Sequence, residues 1–433
     1  MEKNNKRLVN AWASYDWSNS VYNLIITTAI FPIYYSATTK EAFGGEIIEF
    51  FSISIKNSVL YTYAISFSFL MIVFLSPILS GIADYAGVKK KFMKGFTYLG
   101  ALACIGLFFF TGENVEYGIA CSVVASIGFA GSLVFYNAFL PEITTAERMD
   151  NVSAKGFAMG YIGSVILLVI NLVIILNPDT FGFSGGTNAT RFGFLLVGIW
   201  WLGFSQIAFY HLKDYPTGNK INSGILTKGF QELKKVFVNV RKQVITKRFL
   251  LSFFIYSMGV HTVMLLAPIF AESEIGFEAD QMILLVIILQ LLAVVGAYFF
   301  AFLSRIKGNK FAIGIILVIW AMVCVLSYFL HQQINFYIMG GIIGVVMGAI
   351  QSLSRSTYSK LIPSETIDTA SYFSFYDITE KLAIVVGTFA YGYIEQVTGN
   401  MRYSMISMAL FFIVGFVILQ TVKFEKIIKK ELA

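Results

Sequence analysis

The sequence predicts an all-α membrane protein with about twelve transmembrane helices. Of its 433 residues, 57% are hydrophobic and only 13% are charged, which is far more apolar than a soluble domain of average composition. Apolar windows of about 20 residues, the length that crosses the hydrocarbon core of a bilayer, follow one another along the chain. A long polar stretch at 213–248 separates two groups of such windows.

Each group contains six windows, so the predicted order is six spans, a loop and six spans. This order divides the chain into an N-terminal half at 1–211, a linker at 212–248 and a C-terminal half at 249–433. The predicted spans are 17–36, 58–82, 92–111, 117–138, 156–176, 191–211, 249–270, 281–303, 311–330, 335–353, 372–394 and 403–422.

The distribution of lysine and arginine predicts the orientation, because basic loops resist translocation. With the N-terminus inside, 27 of the 32 basic residues fall in inner segments and one, Lys381, falls within a span. The outer loops hold only Lys40, Lys56, Arg191 and Arg402. We therefore expect both termini to be cytoplasmic. The net charge of +7 therefore reflects the orientation of the chain in the membrane. The sequence has no base-reading motif, so we expect no nucleic-acid partner.

The linker contains a candidate amphipathic helix. Its apolar residues recur at alternating spacings of three and four, and basic residues lie between them. Such a helix can lie in the inner headgroup layer and pair its basic side chains with anionic lipid. A calmodulin-like protein partner is the alternative. The apolar positions are Phe230, Leu233, Phe237, Val240 and Val244, and the basic ones are Lys234, Lys235, Arg241 and Lys242.

An internal repeat at an offset of 221 to 222 residues relates the two halves. Tyr136-x-x-x-Leu140-Pro141 recurs as Tyr358-x-x-x-Ile362-Pro363, and the loop 87–89 recurs as 308–310. Matches at one offset, at the same ends of corresponding spans, predict two parallel six-helix halves.

The loop after the second span is a candidate gating loop. Asp84 ends the span, Gly87 permits a tight turn, and Lys89 and Lys90 hold the loop at the inner face. A solvated basic turn is the alternative interpretation.

The segment from Ser80 to Lys91 resembles the loop signature of the major facilitator superfamily. The resemblance implies that Asp84 accepts hydrogen bonds from a neighbouring helix and latches the cytoplasmic gate. Tyr85 and Val88 depart from the signature, because basic residues are usual at those positions.

Further segments resemble one branch of that superfamily, which contains the fungal vacuolar amino-acid effluxers of autophagy and bacterial relatives. This resemblance covers nearly the whole chain and implies the major facilitator fold and movement of a small solute, with amino acids as the candidate solute. It departs at Met258, where an acidic residue is expected, and at Ser374, where glycine is expected. The segments are Trp12–Asn23, Asn137–Glu142, Gly156–Gly163, Gln351–Ser356 and Phe375–Asp377.

The first span carries a polar stripe. Asp16, Asn19, Asn23 and Thr27 are three and four residues apart, which places them on one face of a helix that enters lipid. The stripe predicts the lining of a cavity. Alternatively, Asp16 simply favours the positive N-terminus of its helix.

Ionisable residues in the C-terminal half are further candidates, because charges near the bilayer centre are costly. Asp377, Glu380 and Lys381 lie within about two turns, and Asp377 can pair with Lys381 at the i,i+4 spacing. His261 falls near the middle of its window, where it can exchange a proton. Arg355 can bind a carboxylate or phosphate. The alternatives are a structural ion pair, a neutral hydrogen-bonded histidine and an arginine that fixes the inner loops.

We expect a secondary transporter that moves a small solute by alternating access, with a proton gradient as a candidate driver. A lipid or amphipath flippase and a non-transporting sensor or scaffold stay open. An enzyme is not expected, because His211, His261 and His331 are scattered and no catalytic cluster or metal-ligand spacing is present. A primary pump is not expected either, because the sequence has no ATP-binding loop. We expect no cofactor, contacts with membrane lipids, a monomer and a bacterial inner-membrane location.

Overall fold

The computed structural model describes residues 1–219 and 224–423, apart from the side chains of residues 279 and 280. Within these ranges the chain forms fifteen α-helices and one β-hairpin. The elements are α1 (Lys6–Val21), α2 (Phe31–Phe43), β1 (Ile47–Phe50), β2 (Ile53–Lys56), α3 (Asn57–Ala86), α4 (Lys89–Gly106), α5 (Val115–Ala138), α6 (Leu140–Ile143), α7 (Met149–Leu176), α8 (Gly186–His211), α9 (Ile225–Lys242), α10 (Val244–Ile275), α11 (Ala279–Lys307), α12 (Asn309–Ser327), α13 (Gln333–Leu361), α14 (Thr369–Thr398) and α15 (Met401–Gln420).

Ten of the described helices are long and apolar enough to cross a membrane. They match ten of the twelve predicted spans. The predicted span 17–36 is divided among α1, a π-helical segment at Tyr22–Ala29 and α2, so no single helix reaches the required length. The predicted span 372–394 lies in α14, which is 30 residues long but carries three charged side chains near its middle. The predicted all-α membrane architecture is confirmed.

The structure corrects the start of the first helix. α1 begins at Lys6, and its N-cap is Asn5, so Asp16 lies nearly three turns inside. A helix dipole acts on charges within the first turn, so the interpretation of Asp16 as a residue that favours the helix N-terminus is wrong.

The π-helical segment changes the register of the predicted polar stripe. Its i,i+5 hydrogen bonds include one from the Ile30 amide to the Ile25 carbonyl oxygen at 3.0 Å. Asp16 and Asn19 are buried, whereas Asn23, inside the segment, is exposed. The three polar side chains therefore have different environments.

A β-hairpin follows α2 and was not predicted. β1 and β2 pair antiparallel, from Ile47 opposite Lys56 to Phe50 opposite Ile53. Phe51 and Ser52 form the two-residue turn with φ of 47° and 65°, the backbone conformation of a type I′ turn. Strands of four residues fall below the length that a 20-residue hydropathy window detects.

The chain forms two compact units. The first contains residues 1, 5–139 and 159–230, and the second contains 2–4, 140–158 and the chain from 231 onward. Residues 2–4 belong to the second unit because the Asn4 amide donates to the Ile143 carbonyl oxygen at 2.7 Å.

Glycines allow close helix packing within each unit. In the second unit, Gly344 and Gly348 of α13 lie directly against the backbone of α11, where an added Cβ would collide with the carbonyl oxygens of Leu289 and Ala293.

Large aromatic side chains fill the interiors of the units. Those that are fully buried include Trp12, Trp201, Trp320, Tyr136, Tyr256 and Tyr358.

Candidate transport site

Four ionisable side chains meet between α10 and α14 in the second unit. The Lys381 Nζ lies 3.7 Å from the Asp377 Oδ1 and 3.7 Å from the Glu380 Oε2. The Nε2 atom of His261 lies 3.1 Å from the Glu380 Oε1. The exposed fraction of Asp377 is 6% and that of Lys381 is 8%, so this pair is buried, whereas the side chains of His261 and Glu380 are partly exposed.

The sequence of α14 creates most of this geometry. Positions 377, 380 and 381 are separated by three and four residues, so they lie on one face of the helix. At 1.5 Å per residue, Lys381 lies about 18 Å from the start of a helix about 45 Å long. The cluster is therefore near the middle of a predicted span.

Close packing of α10 and α14 brings His261 to Glu380. An added Cβ at Gly387 would meet the Thr262 hydroxyl and the Met258 carbonyl oxygen. Met258 is itself buried. Position 258, where the family resemblance predicted an acidic residue, therefore packs at this interface as Met258. The carboxylates of the site, those of Asp377 and Glu380, come from α14.

The charge of the cluster determines what it can bind. With a neutral imidazole, two carboxylates and one ammonium carry a net charge of −1, and one added positive charge makes the cluster neutral. An unbalanced charge is costly in a low-dielectric environment, so the cluster favours a proton or a cationic group.

Asp16 belongs to an aromatic cluster in the first unit. The Tyr136 hydroxyl donates to the Asp16 Oδ2 at 2.8 Å. Tyr136 stacks on Trp12 with ring centroids 4.5 Å apart, and the Trp12 Nε1 donates to the Tyr136 carbonyl oxygen at 3.0 Å. Asn19 is buried on the same helix. These contacts account for α1–α5 packing, and the roles of Asp16, Asn19 and Asn23 in transport stay predictions.

The candidate gating loop joins α3 to α4 by a tight turn. Gly87 has φ of +68°, and a Cβ there would collide with the Tyr215 carbonyl oxygen. The Lys89 Nζ lies 3.6 Å from the Asp84 Oδ1, with both side chains largely buried. The Lys90 ammonium donates to the Leu212 carbonyl oxygen at 2.8 Å, beyond the end of α8.

The segment that follows α8 covers this loop. The Lys90 amide donates to the Asp214 Oδ1 at 2.7 Å, and the Thr217 hydroxyl donates to the Tyr85 carbonyl oxygen at 2.7 Å. Asp214 is partly buried, and this burial raises the pKa of its carboxyl group. The loop is an ordered structural element, which disfavours the alternative of a solvated basic turn.

Arg355 fixes the start of α7 to α13. Its Nε donates to the Ser153 Oγ at 3.0 Å, and its terminal nitrogen donates to the Ser153 carbonyl oxygen at 2.8 Å. Its guanidinium carbon lies 4.1 Å from the centroid of the Phe157 ring. These contacts join α7 to α13, so they favour a structural role for Arg355, although the partners lie in α7 and not in the inner loops that the alternative named.

Asp150 is a buried hub that the sequence analysis missed. Its Oδ2 accepts from the Lys360 Nζ at 2.7 Å and from the Ser304 hydroxyl at 2.9 Å. Its Oδ1 accepts from the Ser356 hydroxyl at 2.7 Å and from the Asn309 amide at 2.9 Å. The first turn of α7 is thereby connected to the ends of α11, α12 and α13 in the second unit. The repeat had singled out the loop 308–310, but it did not identify the carboxylate that this loop binds.

The structure brings only part of the predicted set together. His261, Asp377, Glu380 and Lys381 form one cluster, and Arg355 belongs to a separate network in the same unit. Among the residues that the structure describes, no group of His, Cys, Asp and Glu side chains has the arrangement of a metal site.

Comparison with known proteins identifies the family. The family described as "Vacuole effluxer Atg22 like" matches residues 4–431. The "Uncharacterized MFS-type transporter YxiO" of Bacillus subtilis (strain 168) is 32% identical over 421 residues, which cover 96% of this chain and 95% of that protein. Autophagy-related protein 22-1 of Penicillium rubens is 23% identical over 458 residues, with coverage of 85% and 76%.

Solved structures show the same fold at low sequence identity. The Escherichia coli fucose:proton symporter FucP has a TM-score of 0.69 at 14% identity and covers 96% of this chain and 98% of that chain. The human organic anion transporter MFSD10 has a TM-score of 0.71 at 12% identity, with coverage of 96% and 99%. The fold and the family resemblance predicted from the sequence are both confirmed. The chain belongs to the vacuole effluxer Atg22-like family and is a transporter of the major facilitator superfamily, not an enzyme.

Proposed function

We propose that the chain moves a small solute by alternating access and that the cluster of His261, Asp377, Glu380 and Lys381 binds both the solute and a proton. The proposal rests on one observation, the mutual contact of two carboxylates, an ammonium and an imidazole near the middle of a span, with Asp377 and Lys381 buried. Charges in this position are retained at a cost in stability, so they mark a transport pathway.

Amino acids are the proposed solutes. An amino acid carries an ammonium group that the carboxylates of Asp377 and Glu380 can receive, and a carboxylate that Lys381 can receive when its ion pairs open. The resemblance of the sequence to the vacuolar amino-acid effluxers of autophagy implies this solute class, and the description of the family as vacuole effluxers favours export.

Proton coupling follows from the charge of the cluster. One positive charge neutralises it, and a proton at the His261–Glu380 pair can supply that charge. A zwitterionic solute adds no net charge, but its ammonium group can compete with that proton for the carboxylates while its own carboxylate binds Lys381. If the two compete for the same site, the chain exchanges solute for protons. We further propose a bacterial inner-membrane location with both termini in the cytoplasm, as the distribution of basic residues indicates.

The test is uptake of a panel of labelled amino acids by proteoliposomes, with and without an imposed pH gradient. We expect gradient-driven transport in the wild type and its loss in Asp377→Asn and His261→Ala. Two matched variants, Glu395→Gln at the far end of α14 and His331→Ala in an exposed loop, should keep it. Movement of none of the amino acids, together with movement of a fluorescent lipid, would instead indicate a flippase.

A further inference from the structure

The linker helix α9 has two faces of different character. Gly229, Val236 and Val240 are buried, whereas Leu226, Phe230 and Phe237 have exposed fractions of 63%, 60% and 50%. Leu226 and Phe230 are four residues apart, and Phe237 follows seven residues later, so the three share one side of the helix. We call these three residues the outward stripe.

Contacts within each unit hold α9 against neighbouring elements. In the first unit, an added Cβ at Gly229 would collide with the Ile82 side chain of α3. In the second unit, the Lys235 Nζ lies 2.9 Å from the Oδ2 of Asp368, the residue that precedes α14. The hydrogen bond with Asp368 raises the pKa of Lys235 to about 12. The helix is therefore seated on the protein in a defined rotation.

Contacts of α9 also show which part of each neighbouring helix it lies beside. Ile82 lies four residues before the end of α3 at Ala86, or about 6 Å. Phe375, whose ring centroid lies 6.0 Å from that of Phe237, lies six residues after the start of α14, or about 9 Å. Each position lies near the end of a 30-residue helix of its own unit, and a helix beside such an end can reach the headgroup layer.

Basic residues accompany the outward stripe. Lys234 lies four residues beyond Phe230, and Arg241 lies four residues beyond Phe237, so both share its side of the helix. Both side chains are exposed. Lys228 and Lys242 are also exposed and lie farther around the helix. An apolar stripe bordered by cations is complementary to acyl chains beneath a layer of anionic headgroups.

We propose that the outward stripe and its basic neighbours dock α9 onto anionic phospholipid of the membrane that the protein spans. The apolar side chains enter the boundary between headgroups and acyl chains, and Lys234 and Arg241 pair with lipid phosphates. This surface is separate from the transport cluster, and the inference does not depend on the identity of the solute.

The test measures the depth of a spin label at Phe230→Cys in the full-length protein. Cys121→Ala removes the partly exposed cysteine, and Cys104 and Cys324 are buried. The protein is reconstituted in phosphatidylcholine vesicles with or without phosphatidylglycerol. With phosphatidylglycerol we expect a label about 5–10 Å below the phosphates, accessible to oxygen and not to a water-soluble nickel complex. In phosphatidylcholine alone, or at high salt, the label should become accessible to the nickel complex.

Charge variants test the role of the basic residues. Lys234→Gln with Arg241→Gln should weaken the preference for phosphatidylglycerol by on the order of 25-fold, because each basic residue contributes about fivefold. Lys234→Arg with Arg241→Lys should keep the preference. A label at Asn239→Cys, on another side of α9, should stay accessible to water in both kinds of vesicle.

Several results would overturn the inference. A Phe230 label that stays in water with phosphatidylglycerol excludes docking, and protection that appears only on addition of a soluble protein indicates a protein partner instead. Equal depth in both vesicle types, unaffected by salt and by the glutamine substitutions, excludes a role for anionic lipid. If Phe230→Cys does not fold, the same measurements at Leu226→Cys decide the question.

Discussion

Removal of the Lys381 ammonium should destabilise the protein strongly while Asp377 is present. The Asp377 Oδ1 lies 3.7 Å from that ammonium, and the Oδ2 has no hydrogen-bond partner among the residues that the structure describes. Lys381→Ala would therefore leave a buried carboxylate without its counter-ion, which costs about 3–5 kcal/mol. The free energy of unfolding in mixed detergent micelles, measured by denaturant titration, gives this cost directly.

A double-mutant cycle separates the pair from its surroundings. Asp377→Asn with Lys381→Ala removes both charges and, with the two single variants, completes the cycle, so the double variant should recover at least about 2 kcal/mol relative to Lys381→Ala. Lys307→Ala, at the exposed end of α11, is the control and should change the free energy of unfolding by less than about 0.5 kcal/mol. A Lys381→Ala variant as stable as this control would refute the assignment of a buried ion pair.

Three further changes probe the helix ends. Asp150→Ala should lower the free energy of unfolding by about 3–5 kcal/mol in the same titration, because it removes the carboxylate that pairs with the Lys360 ammonium. A loss under about 1 kcal/mol would contradict the role of Asp150 in joining the ends of α7, α11, α12 and α13. Gly87→Ala should cost more than about 1 kcal/mol, since its φ of +68° is strained for alanine; an unchanged denaturation midpoint would exclude that strain. The pKa of Lys235, raised to about 12 by Asp368, lies above its unfolded value. The stability that this pair contributes should therefore be complete below pH about 10 and lost as the pH rises through about 12, and Lys235→Gln should remove that part of the pH dependence.

The sequence predicted the features that depend on local patterns. Apolar windows located ten spans that match long apolar helices. The i,i+4 spacing of Asp377 and Lys381 predicted their ion pair, because helix geometry alone brings those side chains together. The distribution of lysine and arginine in the loops predicted that both termini are cytoplasmic, and this orientation stays a prediction. The spacing of apolar residues in the linker predicted α9, although not its seating against Asp368.

Contacts between distant segments were not predictable from one sequence. His261 and Glu380 are 119 positions apart, and only the packing of α10 on α14 brings them within 3.1 Å. In the sequence, Asp150 falls in the short polar stretch between two predicted spans, where it is indistinguishable from a solvated residue. The predicted polar stripe assumed an uninterrupted α-helix with spacings of three and four residues. The π-helical segment that begins at Tyr22 changes this spacing, so the residues of the stripe do not share one environment.

Proton movement driven by solute tests the central claim most directly. Proteoliposomes that contain a trapped pH indicator are given an amino acid that the wild type transports, and internal pH and counterflow of labelled solute are recorded together. We predict that the wild type moves protons opposite to the solute and that His261→Ala keeps counterflow but loses proton movement. Solute movement with no change in internal pH in the wild type, or unchanged proton movement in both His261→Ala and Asp377→Asn, would contradict the account.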